Sequence, residues 1–260
     1  MSSVQHVRAV LEAARLPQPQ ALVDLVDHGR SGDLIAKAGE AVVKLASAPA
    51  NIELLAREIA VLEWLGPRAP TARVLWTGEV EGGLALVMEN LPDRPVSHLS
   101  MQEAADGLAA TAQALAALHG LDPAGCPFDM RLDVKFALAE RHVAAGLVDE
   151  DDFDGERMGW TARQALDAAY ATRPAAERLV LTHGDASLPN FLWSPDRPVR
   201  LIDLGRFGLA DPYQDLALFL RSAKYNYPDL DAGAVLREHY PLAQIDEAAC
   251  DFYRLMDELF

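Results

Sequence analysis

Leu181-Thr182-His183-Gly184-Asp185-Ala186-Ser187-Leu188-Pro189-Asn190, followed after a short hairpin by Ile202-Asp203-Leu204-Gly205, sets two aspartates and an asparagine around one loop and one strand pair. An apolar strand that runs into such a loop presents its polar side chains at a sheet's edge. Three oxygen-bearing groups at that spacing suit a particular chemistry. One carboxylate orients an attacking hydroxyl, and the other oxygens hold divalent ions that neutralise a triphosphate. Asp185 fits the first task, and Asn190 and Asp203 the second. Each alone reads equally well as a turn residue; their joint spacing carries the inference. His183 is read as a ring that holds the loop rather than as a base, and Asp215 as a brace for that loop.

The protein-kinase signature is His-Arg-Asp with an asparagine five positions on, then Asp-Phe-Gly. Here Gly184 stands for the arginine and Leu204 for the phenylalanine. Upstream, Lys44 sits within Ala41-Val42-Val43-Lys44-Leu45, a strand where an ammonium is costly unless an anion meets it. Its expected partner is Glu58, on the helix that carries Leu55 and Leu62, giving the strand-lysine and helix-glutamate pair of kinases. No G-x-x-x-x-G-K-[ST] string exists, which excludes a P-loop site. The turn His28-Gly29-Arg30-Ser31-Gly32-Asp33 offers instead the Ser31 hydroxyl and backbone amides to phosphates. Met88-Glu89-Asn90-Leu91 closes the last strand before Pro92, where backbone groups could meet an adenine edge.

The pattern predicts an α+β, two-lobed, protein-kinase-like fold. Residues 1–91 form a small antiparallel sheet with one main helix, capped at Asn51 and stopped by Gly66. Residues 92–260 form a mainly helical lobe, its first helix opened by a Ser100/Glu103 capping box and others near 133–145, 161–172, 212–224 and 246–258. A hairpin joins Phe191–Trp193 to Val199–Ile202. The formal charge of −16 argues against a nucleic-acid partner and suits a cationic small molecule. The start mixes Arg8, Glu12, Arg15 and Asp24 with apolar residues, which fits neither a signal peptide nor a membrane span, so a cytoplasmic protein is expected. Cys126 and Cys250 lack metal-ligand spacing and read as plain thiols.

Two acidic clusters remain, Asp149-Glu150-Asp151-Asp152-Phe153-Asp154-Gly155-Glu156 and Asp257-Glu258-Leu259-Phe260. Crowded like charges repel, which costs stability unless a cation relieves them. Phe252, Tyr253, Leu255 and Met256 imply that the second is docked.

With these residues assembled, the chain closely resembles the bacterial aminoglycoside 3'-phosphotransferases. The motifs are L-H-G-L-D-P-A-G-C-P-F-D at 118–129, G-L-V-D-E-D-D at 146–152, T-H-G-D-A-S-L-P-N at 182–190, I-D-L-G-R-F-G-L-A-D-P-Y-Q-D-L-A at 202–217 and F-Y-R-L-M-D-E-L-F at 252–260. The resemblance implies an enzyme that uses ATP and Mg2+ to phosphorylate the 3'-hydroxyl of kanamycin- or neomycin-like drugs, conferring resistance. By it Asp185 is the catalytic base, Asn190 and Asp203 hold metal, and Ser31 and Lys44, supported by Glu58, meet phosphates. Met88, Glu89 and Leu91 line the adenine site. Asp154, Glu156, Arg206, Asp257, Glu258 and the α-carboxylate of Phe260 build the substrate side, with Gly155 where relatives can carry a further carboxylate. The expected partners are a cationic aminoglycoside, with neither nucleic acid nor membrane, and a monomer or weak dimer. The competing expectations are a kinase of another small hydroxylated amine or sugar, and a non-catalytic drug-binding protein.

Overall fold

The computed structural model describes residues 2–16, 24–25 and 34–260. Ser31 and the turn around it lie outside the described residues. The chain divides into two compact units, Met1–Arg94 with Arg200–Arg206, and Pro95–Val199 with Phe207–Phe260. The seven-residue return segment therefore carries Asp203 and Arg206 into the first unit, a division that a single cut after residue 91 does not anticipate.

The first unit opens with α1 (Ser3–Ala13), started by a reciprocal Ser2/Gln5 capping box. An antiparallel sheet follows, of β1 (Asp24–Leu25), β2 (Leu34–Ala38), β3 (Ala41–Ala46), β4 (Val74–Val80) and β5 (Gly83–Glu89), in the order β1-β2-β3-β5-β4. Alternation along β3 decides which face each residue serves. Ala41, Val43 and Leu45 are buried with Val7, Val10 and Leu11 of α1, whereas Lys44 points to the opposite face. Burying each of those α1 side chains contributes roughly 1.5–3 kcal/mol, more than the intrinsic preference of so short a helix. The β4–β5 turn needs glycine: Gly83 has φ +145° and a Cβ there would lie 1.9 Å from the Ala46 carbonyl oxygen.

On the other face of the sheet lies α2 (Pro49–Leu65). Its cap is Ala48 with proline in the first turn, so Asn51 does not cap it; it sits inside the helix. The helix buries Leu55, Val61, Leu62 and Leu65, and Glu58 among them.

The second unit is mostly helical. Its helices are α3 (Met101–His119), α4 (Leu132–Ala145), α5 (Ala162–Thr172), α6 (Tyr213–Asn226), α7 (Ala232–His239) and α8 (Glu247–Asp257). The Ser100 backbone N–H and hydroxyl both donate to Glu103 Oε2, at 3.3 and 2.7 Å, opening α3 as the sequence predicts. Leu132, Phe136, Phe153, Leu166, Phe252, Tyr253 and Met256 share one core, which docks α8 between its neighbours. β6 (Arg94–Pro95), β8 (Phe191–Ser194) and β9 (Arg197–Leu201) form a three-stranded sheet, and β7 (Val180–Thr182) pairs antiparallel with β10 (Gly208–Ala210). Arg197 and Pro198 belong to β9, not to the turn, because the hairpin closes tightly at Pro195-Asp196. Among the described residues no helix is long and apolar enough to cross a membrane.

Candidate active site

In the first unit the β3 lysine meets its expected partner. Lys44 Nζ donates to both carboxylate oxygens of Glu58, at 2.8 and 2.9 Å, and to Asp203 Oδ1 at 3.3 Å. Burial opposes the ammonium, but the two carboxylates outweigh it and push the Lys44 pKa up. Lysine therefore stays charged throughout the working pH range. Burial pushes the Glu58 carboxyl up while the Lys44 ammonium pulls it back, and the Leu204 N–H adds a further hydrogen bond to it. A buried carboxylate with those donors is an ionic anchor for the lysine. Asp203 itself is solvent-facing, its side chain 58% exposed, and its φ of +61° places it in the left-handed region that aspartate tolerates better than most residues. One oxygen faces Lys44; a solvent-exposed carboxylate is the donor chemistry a hard divalent cation takes. Arg206, half-buried, lies at the end of the same returning segment.

The end of β5 is less open than the sequence suggests. The Glu89 and Asn90 backbone N–H groups donate to Arg73 O and Glu40 O, at 2.9 and 2.8 Å. The Glu89 side chain accepts from the Arg73 N–H at 2.9 Å, and Asn90 Nδ2 donates to Gly39 O at 2.9 Å. Met88 is buried in the sheet between β3 and β4. The Glu89 and Asn90 backbone donors are thus spent on holding the strand end in place, and Met88 lies within the β5 ladder.

In the second unit, β7 delivers Asp185 through His183 and Gly184, the latter at φ +87°. The loop is latched by Asp215 of α6. Its two oxygens accept the His183 and Gly184 N–H groups at 2.6 and 2.8 Å, and His119 Nε2 lies 2.9 Å from Oδ2. Burial pushes the Asp215 carboxyl up, yet the His119 hydrogen bond and charge, with His183 and the Gly184 amide, win and hold it below the usual range. The other ring nitrogen, Nδ1, lies 2.8 Å from the Tyr240 hydroxyl, so the imidazole bridges Asp215 and Tyr240. Gln214 Nε2 donates to Gly184 O at 3.2 Å and is itself held by Lys135. The His183 ring accepts the Asp185 N–H at 3.4 Å and packs on Phe191, so it serves the loop. Asn190 Nδ2 donates to Asp185 O at 3.0 Å, which leaves the amide oxygen as the end that a cation would use. Asp185 and Asn190 are therefore fixed to each other by the backbone, and the Asp185 side chain is half-buried.

The acidic clusters come together in this unit, and each holds an arginine. Asp154 binds Arg157, and the Asp154 N–H donates to Glu258 Oε1 at 3.2 Å. Arg221 NH2 donates to Asp257 Oδ2 at 2.6 Å, and Asp185 and Glu258 lie within range of its charge. Glu258, 6% exposed in its side chain, is pushed up to about 7, by burial first and by its neighbour Asp154. Glu156 is exposed, with its N–H on Asp154 Oδ1. The Phe260 ring packs edge-on against His142 and under Lys135. Cys250 is buried, its thiol pushed up to about 12 by desolvation, and Cys126 is partly buried.

Sequence reasoning missed His119, Gln214, Arg157 and Arg221. Arg157 and Arg221 carried no local signal, because each meets its acid only in the folded chain; Leu118-His119-Gly120 could have been noticed only as part of a longer motif.

The profile of the phosphotransferase enzyme family (APH) matches residues 27–253. An aminoglycoside 3'-phosphotransferase from Niallia circulans is 35% identical over 204 residues, which is 78% of this chain and 78% of that protein. The crystal structure of an aminoglycoside-3'-phosphotransferase of type VIII superposes with a TM-score of 0.86 at 35% identity, covering all of both chains. The aminoglycoside phosphotransferase APH(3'')-Id of Streptomyces rimosus superposes with a TM-score of 0.87 at 28% identity, over 100% of this chain and 99% of that one. That protein has also been solved with ADP and streptomycin.

Proposed function

This chain belongs to the phosphotransferase enzyme family, and from that premise we propose that it transfers the γ-phosphoryl group of ATP to the 3'-hydroxyl of kanamycin- and neomycin-type aminoglycosides, conferring resistance to them. The observation that carries the reading is the Asp185–Asn190 loop latched by buried Asp215, in a chain 35% identical to a named 3'-phosphotransferase over most of its length. Phosphoryl transfer asks little covalent chemistry of the protein and much positioning. Asp185 would accept a hydrogen bond from the attacking hydroxyl and take its proton as the bond to phosphorus forms. Lys44, kept charged by Glu58, would draw the nucleotide's phosphates into line. The Leu91 N–H would meet the adenine edge, since those of Glu89 and Asn90 are already taken. Asn190 and Asp203 supply hard oxygen ligands for Mg2+, which when bound offsets the charge on the transferring group.

On the substrate side, Asp154, Glu156, Asp257 and Glu258 would take the drug's ammonium groups, and Arg206 would shape the same region. The partners so inferred are small cationic molecules, not nucleic acid, with the chain acting in the cytoplasm as a monomer or weak dimer. A second reading has its own observation. The 3''-class structural neighbour matches as closely in backbone as the 3'-class one, so streptomycin's 3''-hydroxyl is the competing acceptor. A coupled ADP-release assay on kanamycin, its 3'-deoxy analogue and streptomycin separates them. Turnover on kanamycin alone supports the first reading; turnover on streptomycin, or on the 3'-deoxy compound, relocates the phosphorylated position. A kinase of some other small alcohol would turn over none of the three.

A further inference from the structure

Among the acids assigned to the substrate, one cation is out of place. Arg157 stands in the turn that follows Asp154, its side chain only 8% exposed, in a stretch otherwise open to solvent around Met158 and Trp160. A guanidinium is rarely buried unless it is needed where it is. NH1 binds Asp154 Oδ2 and lies 3.8 Å from Glu258 Oε1, while NH2 donates to the Asp251 carbonyl of α8 at 3.4 Å. The neighbouring Asp154 N–H donates to the same Glu258 oxygen, at 3.2 Å. One side chain therefore ties the acidic loop to the last turn of α8, across about a hundred residues of sequence.

We propose that Arg157 is a positioning residue that fixes the Asp154 and Glu258 carboxyl groups in one geometry, so that a polycationic acceptor meets a preformed acidic surface. The inference rests on the reading of that surface as the aminoglycoside side of the site. Without the guanidinium Asp154 loses its charged partner and the acidic loop loses its tie to the Asp251 carbonyl of α8. The surface is then no longer held in one geometry. Preorganised groups bind without paying to be ordered, so the loss falls on acceptor binding. Arg221 does not replace Arg157, because its guanidinium holds Asp257 on the neighbouring side.

The test is steady-state kinetics on Arg157→Met and Arg157→Lys in the full chain, with circular dichroism and thermal melting to establish folding. The methionine keeps the apolar volume and removes the charge; the lysine restores charge without the planar fork. Expected for Arg157→Met is a KM for kanamycin raised about tenfold or more, the loss of one good ionic contact, with the KM for ATP and kcat changed less than about threefold on the same scale. Arg157→Lys recovers at least half of that loss on a logarithmic scale. The clamp is overturned if kcat falls while the kanamycin KM stays, if the KM values for ATP and kanamycin rise together, or if lysine rescues nothing while both variants melt like the parent. If Arg157→Met does not fold, Arg157→Gln takes its place: the same rise in the kanamycin KM is expected, and an unchanged kanamycin KM in a folded variant overturns the clamp. Failure of the functional reading looks different, since the unaltered protein then turns over no aminoglycoside at all.

Discussion

Asp185 and Lys44 make separable demands on their surroundings. In the proposed reaction Asp185 acts on the acceptor hydroxyl, so Asp185→Asn is expected to lower kcat by about 10²–10⁴ while leaving the melting temperature and the KM for ATP near those of the parent; full protection of cells by that variant would instead indicate drug sequestration. Lys44 is a matter of ionic balance. Glu58→Ala leaves a mostly buried ammonium with only the exposed Asp203 for company, which is expected to cost about 3 kcal/mol. Replacing both members of the pair by methionine removes the charge as well as its partner. The double variant should therefore melt above Glu58→Ala, measured by chemical denaturation, yet remain inactive because nothing draws in the phosphates. A double variant less stable than the single one would show that the pair supplies more than mutual neutralisation.

At the scale of elements, the β7 loop and α6 form one device. Two backbone amides and an imidazole converge on the buried Asp215 carboxylate, and Asn at 215 keeps the shape but offers an amide where an acceptor is needed. Asp215→Asn is expected to destabilise by about 3 kcal/mol and to lower kcat without abolishing nucleotide binding, read by denaturation and by nucleotide titration. Equal loss of nucleotide and acceptor binding would mean that the latch serves more than the Asp185 loop. What the sequence shows about such elements depends on whether chemistry or packing sets them. The Lys44–Glu58 pair is legible because an ammonium within a strand demands an anion, and α3 is legible because its capping box is local. The eight-residue α7 escapes such a reading, since so short a helix takes its stability from faces supplied elsewhere in the chain, and α1 escapes it although its Ser2/Gln5 capping box is as local as that of α3. The start of α2 misleads, because Pro49 in the first turn outweighs the capping preference of Asn51. Arg157 and Arg221 escape for a further reason: a lone arginine among acids reads as a solvated charge until the partner on α8 is brought to it.

For the molecule as a whole, the formal charge of −16 makes acid and salt act through identifiable groups. Glu258 is a carboxyl whose titration is moved close to neutrality. Its carboxyl is pushed from an ordinary value of 4.5 up to about 7, first by burial and then by Asp154, with Arg221 on α6 pulling it back. Arg157 NH1 lies 3.8 Å from it, Arg221 also holds Asp257, and His142 of α4 binds the adjoining Leu259 carbonyl at 3.0 Å. Between those two values the folded chain holds a proton that the unfolded chain has released. Stability from this group is therefore complete below the unfolded value and declines as pH rises through the folded one. If Glu258 takes a substrate ammonium as proposed, affinity runs the other way, because only the ionised carboxylate attracts a cation. The expected outcome is a melting temperature that drifts down from pH 5 to pH 8 while the kanamycin KM falls across neutrality, and Glu258→Gln should flatten both trends. The glutamine variant is the control that matters, since the drug's own amines titrate in the same range and would still act on KM in its absence. Parallel pH profiles for parent and variant would remove Glu258 from the acceptor surface.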